Sequence, residues 1–298
     1  MPELPEVEVT RRRIAPLFEG RTIARITTTA PSYFFLTPPE QLARRLRGRR
    51  VERLSRHGKY LFAELAGGDR LMLHLGMTGQ LFGAGATSLR LLSSTSRSSL
   101  TPEAQASLVG KKGAARDPHT HLIFHFTDGG PEVLFRDVRK FGKVLYLAAG
   151  KSDARVDKLG TDALQITAED LIQAAGRRRA PIKSVLLDQS VLAGVGNIYA
   201  DEALFLARIR PTRSAARLSR PDWQRLLDAT QWVMKRSIET GGSSISDYVQ
   251  PDGTDGAYQD ERRVYARTGE PCPECGAAVV RVLVGQRGTH YCPRCQRR

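Results

Sequence analysis

The feature that most restricts this chain lies at its far end. All four cysteines fall in the last 27 residues, as Cys272-Pro-Glu-Cys275 and, sixteen residues on, Cys292-Pro-Arg-Cys295. Each C-x-x-C pair fits a tight turn, and two such pairs can close a thiolate tetrahedron around one Zn2+. The competing use of four cysteines, two disulfides, belongs to oxidising compartments. The chain opens Met1-Pro2-Glu3-Leu4-Pro5-Glu6 with no apolar signal core, so secretion is not indicated and one zinc ion is expected. Four thiolates leave no open coordination position, which makes the metal structural rather than catalytic. Between the pairs, Val279–Val284 reads as a strand. Gly285-Gln286-Arg287-Gly288-Thr289 reads as a hairpin tip, holding Arg287 as a rigid phosphate probe or as a solvated turn residue.

Charge narrows the partner. Lys+Arg 46 against Asp+Glu 31 leaves +15 on 298 residues, an excess that favours a polyanion, nucleic acid before an anionic membrane. A ribosome-type basic protein, or charge serving solubility alone, also fits the composition. Apolar runs such as Leu71-Met72-Leu73 fall far short of the ~20 residues of a membrane span.

Periodicity divides the chain into an α+β arrangement. Val7, Ile14, Leu17 and Phe18 form one apolar stripe, predicting a helix from about Pro5 to Gly20 that Pro16 should kink or end early. Seven strand-like runs follow: Ile23–Thr29, Val51–Ser55, Tyr60–Leu65, Leu71–Leu75, His121–Thr127, Glu132–Asp137 and Lys143–Leu147. With the leading helix they predict a β-sandwich over residues 1–150. Gly83–Asp117, rich in serine, reads as a mostly disordered insertion with a short helix near 102–109. From 151 to 265 the period is helical, with helices at Ala168–Ala175, Ile182–Leu187, Ile198–Leu206 and Trp223–Ile238. Asp188–Asn197 is a glycine-rich turn that presents backbone N–H groups at a helix start, a phosphate-binding arrangement. Residues 266–298 form the zinc hairpin.

The N-terminus carries a second chemical signal. Removal of Met1 would leave Pro2 with a free secondary amine, beside Glu3 and Glu6 at the mouth of the helix. An α-amino group titrates near ~7.7–8, so a neutral fraction exists at pH 7 to attack an aldehydic carbon. The plainer alternative is that Pro2 and Pro5 start a helix whose dipole the glutamates complement.

Several segments together resemble one family. Pro2-Glu3-Leu4-Pro5-Glu6-Val7-Glu8, His57-Gly58-Lys59-Tyr60, His74-Leu75-Gly76-Met77-Thr78-Gly79, Asp137-Val138-Arg139-Lys140-Phe141-Gly142, Gly194-Val195-Gly196-Asn197-Ile198-Tyr199-Ala200 and the four-cysteine hairpin are similar, in order, to the formamidopyrimidine-DNA glycosylases. These are bacterial enzymes that excise oxidised purines. Leu4 points to the purine-directed branch rather than to the endonuclease VIII group. The resemblance implies an N-terminal β-sandwich carrying the catalytic helix, a helix–two-turn–helix domain and a zinc finger, with damaged duplex DNA in the basic cleft between the two halves.

The same resemblance implies roles. Pro2 attacks C1′ of the lesion nucleotide, Glu3 assists opening of the sugar ring, Glu6 holds the polar network, and Lys59 contacts phosphate and supports catalysis. Successive β- and δ-elimination then cuts the strand on both sides. Met77 and Phe141 fill the gap left by the flipped base, although on sequence alone either could be ordinary core. Arg139 meets the orphaned cytosine. His74, Asn197 and Arg287 join the DNA contacts. Lys140 stands where many relatives have a second arginine, and Thr254 where many carry a lysine for the flipped base. The expectation is a monomeric bacterial glycosylase and abasic-site lyase, cytoplasmic and nucleoid-associated, acting on double-stranded DNA with oxidised purines or abasic sites. An oxidised-pyrimidine preference and a non-catalytic zinc-dependent damaged-DNA-binding protein are the alternatives.

Overall fold

In the computed structural model, which describes residues 1–84, 118–245 and 248–297, the chain divides into two compact units. One comprises residues 1–153 and 240–257, the other residues 154–239 and 258–298. Residues 240–257, grouped with the helical segment on periodicity, therefore belong with the N-terminal half. From residue 85 on, the stretch read as an insertion lies outside the described residues.

The first unit opens with α1 (Leu4–Phe18). The helix does not end at Pro16 but runs on through it to Phe18. A proline in the last turn forfeits a single backbone bond, and Phe18, 1% exposed, packs edge-on against Phe124 and Phe126. Two antiparallel four-stranded sheets follow. One has the order β1-β6-β7-β5 (Ile23–Thr28, Thr120–Phe126, Val133–Asp137, Gly79–Gly83) and the other β2-β3-β4-β8 (Val51–His57, Tyr60–Leu65, Arg70–His74, Lys143–Leu147). Alternate residues of the central strands enter one core, Leu61, Ala63 and Leu65 from one sheet and Leu122, Phe124 and Phe126 from the other. That is the period-2 pattern of a sandwich. α2 (Pro39–Leu46) and β5 were not expected. β5 reads Gly-Gln-Leu-Phe-Gly, and glycines at both ends hide its strand character.

The second unit is mainly helical: α3 (Ala154–Asp157), α4 (Ala168–Ala175), α5 (Ile182–Leu187), α6 (Asn197–Leu206) and α7 (Arg220–Glu239). A short parallel pair, β9 (Thr161–Asp162) and β10 (Leu192–Ala193), joins them. The zinc hairpin is β11 (Val280–Val284) and β12 (Arg287–Tyr291). Val284 pairs with Arg287 across Gly285 and Gln286, whose φ angles are 53° and 62°, as a two-residue type I′ turn requires. Arg287 thus opens β12, one residue past the tip. No described helix is long and apolar enough to cross a membrane.

Candidate nucleic-acid site

The N-terminus is held by carboxylates. Pro2 is buried, and Glu3 and Glu6 are 3% and 2% exposed. The Glu3 backbone N–H donates to Glu6 Oε2 at 2.8 Å, while Glu6 Oε1 accepts the Ser243 N–H at 2.9 Å. One carboxylate therefore fixes both the entry to α1 and a segment 237 residues away. Gly242 allows this approach: its φ is 88°, and a Cβ there would sit 2.8 Å from the Tyr248 ring and 3.3 Å from Glu6. Burial, then the Glu6 charge, pushes the Tyr248 hydroxyl pKa up.

Lys59 lies in the β2–β3 turn and is 8% exposed. Gly58, with φ 55°, takes the first turn position, as a type II′ hairpin needs. Glu8 and Arg56, neither assigned a role from sequence, tie this turn to α1. Glu8 Oε2 lies 3.2 Å from Arg56 Nε, and Arg56 Nη1 donates to the Gly58 carbonyl at 2.9 Å. Arg11 and Arg12 also donate to Glu8. Burial raises the Glu8 pKa, but these guanidinium bonds and charges outweigh it and hold the carboxyl at about 2.

His74 faces Tyr60 across the sheet at 4.6 Å between ring centroids, and its Nδ1 accepts the Gly76 N–H at 3.2 Å. Burial, then the charges of Lys59 and Lys143, lowers its pKa to about 4. A neutral imidazole accepting at Nδ1 carries its proton on Nε2, which can donate to a phosphate oxygen.

Met77, Arg139 and Phe141 sit on two turns that meet. At Gly76, φ 63°, a Cβ would lie 2.4 Å from the backbone of Phe141 and Gly142, so only glycine permits the approach. Beneath them Asp137, fully buried, accepts from the Thr78 hydroxyl and from the N–H groups of Arg139 (3.3 Å) and Gly142 (2.6 Å). Thr78 Oγ1 also accepts the Arg139 N–H at 3.1 Å. Phe141 is 43% exposed, and the Arg139 guanidinium lies 4.7 Å over its ring. A phenyl ring left in solvent above a buried carboxylate clasp is not an ordinary core residue.

In the second unit Asn197 begins α6, and its Nδ2 donates to the Gly288 carbonyl at 3.0 Å, next to the exposed Arg287. Asn197 and the hairpin are thereby brought together, with a second amide N–H left for a ligand. Lys183 and Asp201, both 0% exposed, anchor β12. Lys183 Nζ lies 2.7 Å from Asp201 Oδ1 and donates to Thr289 Oγ1 at 2.9 Å, and Asp201 Oδ2 accepts the His290 N–H at 2.8 Å. Each is a charge inside an apolar helical run, Ile182–Leu187 or Ile198–Leu206. That pattern signals a buried pair, since an unpaired charge there is prohibitively costly.

The four cysteine sulfurs lie within 4.8 Å of one another, with Cys272–Cys295 at 3.9 Å and Cys275–Cys292 at 3.5 Å. A tetrahedron with Zn–S bonds of about 2.3 Å places sulfurs about 3.8 Å apart, so the set fits one structural zinc. Thr254, in the loop implied for base recognition, is exposed and bonds within its own turn, to Asp252 Oδ1.

Family models described as "Formamidopyrimidine-DNA glycosylase N-terminal domain", "Formamidopyrimidine-DNA glycosylase H2TH domain" and "Zinc finger found in FPG and IleRS" match residues 1–144, 159–249 and 269–298. Formamidopyrimidine-DNA glycosylases of Solibacter usitatus and Geobacillus kaustophilus are 41% and 39% identical over the whole of both chains. The MutM (Fpg) protein of Thermus thermophilus superposes with a TM-score of 0.79 at 36% identity, covering 99% of this chain and 98% of its own. The Lactococcus lactis enzyme, in complex with DNA containing Fapy-dG, does so at 0.79 and 32%, covering 99% and 100%. With its whole length matched in order, the chain belongs to the formamidopyrimidine-DNA glycosylase family.

Proposed function

We propose that this protein is a bifunctional base-excision glycosylase and abasic-site lyase that removes 8-oxoguanine and formamidopyrimidines from duplex DNA. It acts as a monomer, in the cytoplasm on the nucleoid. The observation that carries this reading is the buried Pro2-Glu3 start, with the Glu3 amide held by Glu6. With Met1 removed, the Pro2 nitrogen attacks C1′ of the flipped nucleotide. The glycosidic bond breaks, the base leaves with a proton, and Glu3 protonates the ring oxygen as the sugar opens. The resulting iminium acidifies the adjacent C–H. Loss of that proton expels the 3′ phosphate, a second elimination expels the 5′ phosphate, and hydrolysis frees the amine.

Met77 and Phe141 fill the vacated stack, offsetting the few kcal/mol that flipping costs. Lys59 and His74 hold phosphates near the lesion, Asn197 and Arg287 hold them from the second unit, and the zinc keeps the hairpin of Arg287 rigid. Arg139 reads the orphaned base. Cytosine offers O2 and N3 as neighbouring acceptors to its N–H fork, whereas adenine sets an amino donor beside N1.

The test is borohydride trapping on duplex DNA with 8-oxoguanine opposite cytosine. The processed protein should begin at Pro2 and form a covalent adduct. Pro2→Gly should trap far less, and Glu3→Gln should bind DNA without excising the base. Full activity in protein that retains Met1 would overturn the assignment, and binding without cleavage would favour a non-catalytic protein.

A further inference from the structure

Beside the wedge turn stands an exposed aromatic residue that the reaction above does not use. Tyr33 is 59% exposed, yet its place is fixed. The next residue, Phe34, is fully buried against Phe35, His121 and Phe135, and its carbonyl accepts the Val144 N–H at 3.0 Å. From that anchor the Tyr33 hydroxyl donates to the Arg139 carbonyl at 3.0 Å, and Lys143 Nζ lies 4.8 Å over its ring.

The bonded carbonyl belongs to a particular peptide. It joins Arg139 to Lys140, which has φ 56°, a left-handed conformation that non-glycine residues adopt reluctantly. Rotation of this peptide would relieve Lys140 and turn the Arg139 carbonyl away from Tyr33. The N–H of Arg139 is already clasped by Asp137 and Thr78; in the 139–140 peptide itself the Lys140 N–H donates to the Asp137 carbonyl at a longer 3.3 Å, and the Arg139 carbonyl accepts from Tyr33. We propose that Tyr33 is a positioning residue for reading the base opposite the lesion. Its hydroxyl holds the 139–140 peptide in the orientation that presents the Arg139 guanidinium to the orphaned base. This inference rests on the role proposed for Arg139.

The experiment is single-turnover excision of 8-oxoguanine opposite cytosine and opposite adenine at matched salt. The proteins are wild type, Tyr33→Phe, Arg139→Ala and the double variant. Tyr33→Phe keeps the ring and its contact with Lys143 and removes only the bond to the Arg139 carbonyl, leaving the Lys140 N–H bond to Asp137 in place. The cytosine-to-adenine ratio should fall by about 3- to 10-fold, the range set by one net hydrogen bond. Cleavage of a pre-formed abasic site opposite cytosine and duplex affinity should change much less, which a general loss of folding could not produce. In the Arg139→Ala background Tyr33→Phe should have no further effect on the ratio, because the two act in series. An unchanged ratio in Tyr33→Phe with a narrowed one in Arg139→Ala overturns the Tyr33 inference alone. An unchanged ratio in Arg139→Ala overturns both. Equal losses on both duplexes and on the abasic site reduce Tyr33 to a structural residue and also overturn it.

Discussion

Glu8 holds two arginines of its own helix, Arg11 and Arg12, and ties α1 to Arg56 of β2, and its neutralisation by Glu8→Gln should be felt first as a pH-dependent loss of stability. Burial alone would raise its carboxyl; Arg11, Arg12 and Arg56 instead hold it at about 2, against an ordinary value of 4.5. Ionisation in that setting is worth about 3 kcal/mol at neutral pH if the unfolded chain titrates normally. Because the folded value is depressed, the stabilisation is complete above 4.5 and is lost as the pH falls through that value toward 2. At pH 3 about 2 of those 3 kcal/mol should already be gone. Glu8→Gln should therefore be less stable than wild type by about 2–3 kcal/mol at pH 7, with the difference shrinking to about 1 kcal/mol at pH 3. Both tryptophans, Trp223 and Trp232, lie in the other compact unit, so fluorescence would follow the wrong transition. Hydrogen exchange of the α1 amides reports the relevant opening. Arg56 would also lose the charge of Glu8 while still bonded to the Gly58 carbonyl, so cleavage of a pre-formed abasic site should slow as the Lys59 turn loosens. A stability difference that stays constant between pH 7 and pH 3 would refute the ion-pair account.

Two further variants test the site. Cys292→Ser should lower zinc content below one per chain and weaken DNA binding through the hairpin carrying Arg287, without abolishing the reaction of the Pro2 amine with a small aldehyde; active protein free of zinc would contradict this. His74, held at about 4 by burial and by Lys59 and Lys143, should remain a neutral donor, so the ratio of wild-type to His74→Gln DNA affinity should be flat from pH 8 to about 5.5, and an inflection near pH 6.5 would refute it. Because that value is depressed, the unfolded chain takes up the proton first; wild-type stability should decline relative to His74→Gln as the pH falls from 6.5 toward 4.

What the sequence determined is whatever local chemistry dictates. Cysteine spacing alone predicts the metal clasp, because two C-x-x-C turns are nearly complete half-sites before the chain folds. Short β-branched and aromatic runs between turn residues placed seven of the eight sandwich strands, and a 3.6-residue period placed α1, α4, α5, α6 and α7, because burying one face imposes its period on a helix. The glycines of β5 and the end effect at Pro16 escaped, since each was decided by packing that overrides propensity. Tertiary structure alone decided how the site is held. Glu6 meets Ser243 across 237 residues, Asp137 meets Thr78 across 59, Arg56 meets Glu8 across 48, and Tyr33 meets Arg139 across 106. None of these pairs leaves a trace in local spacing, because a hydrogen bond between distant segments constrains position in space and not distance along the chain. The residues that do the proposed chemistry can be named from motifs; the carboxylates and the tyrosine that aim them become visible only once the sheets and turns have brought their partners within 3 Å or so.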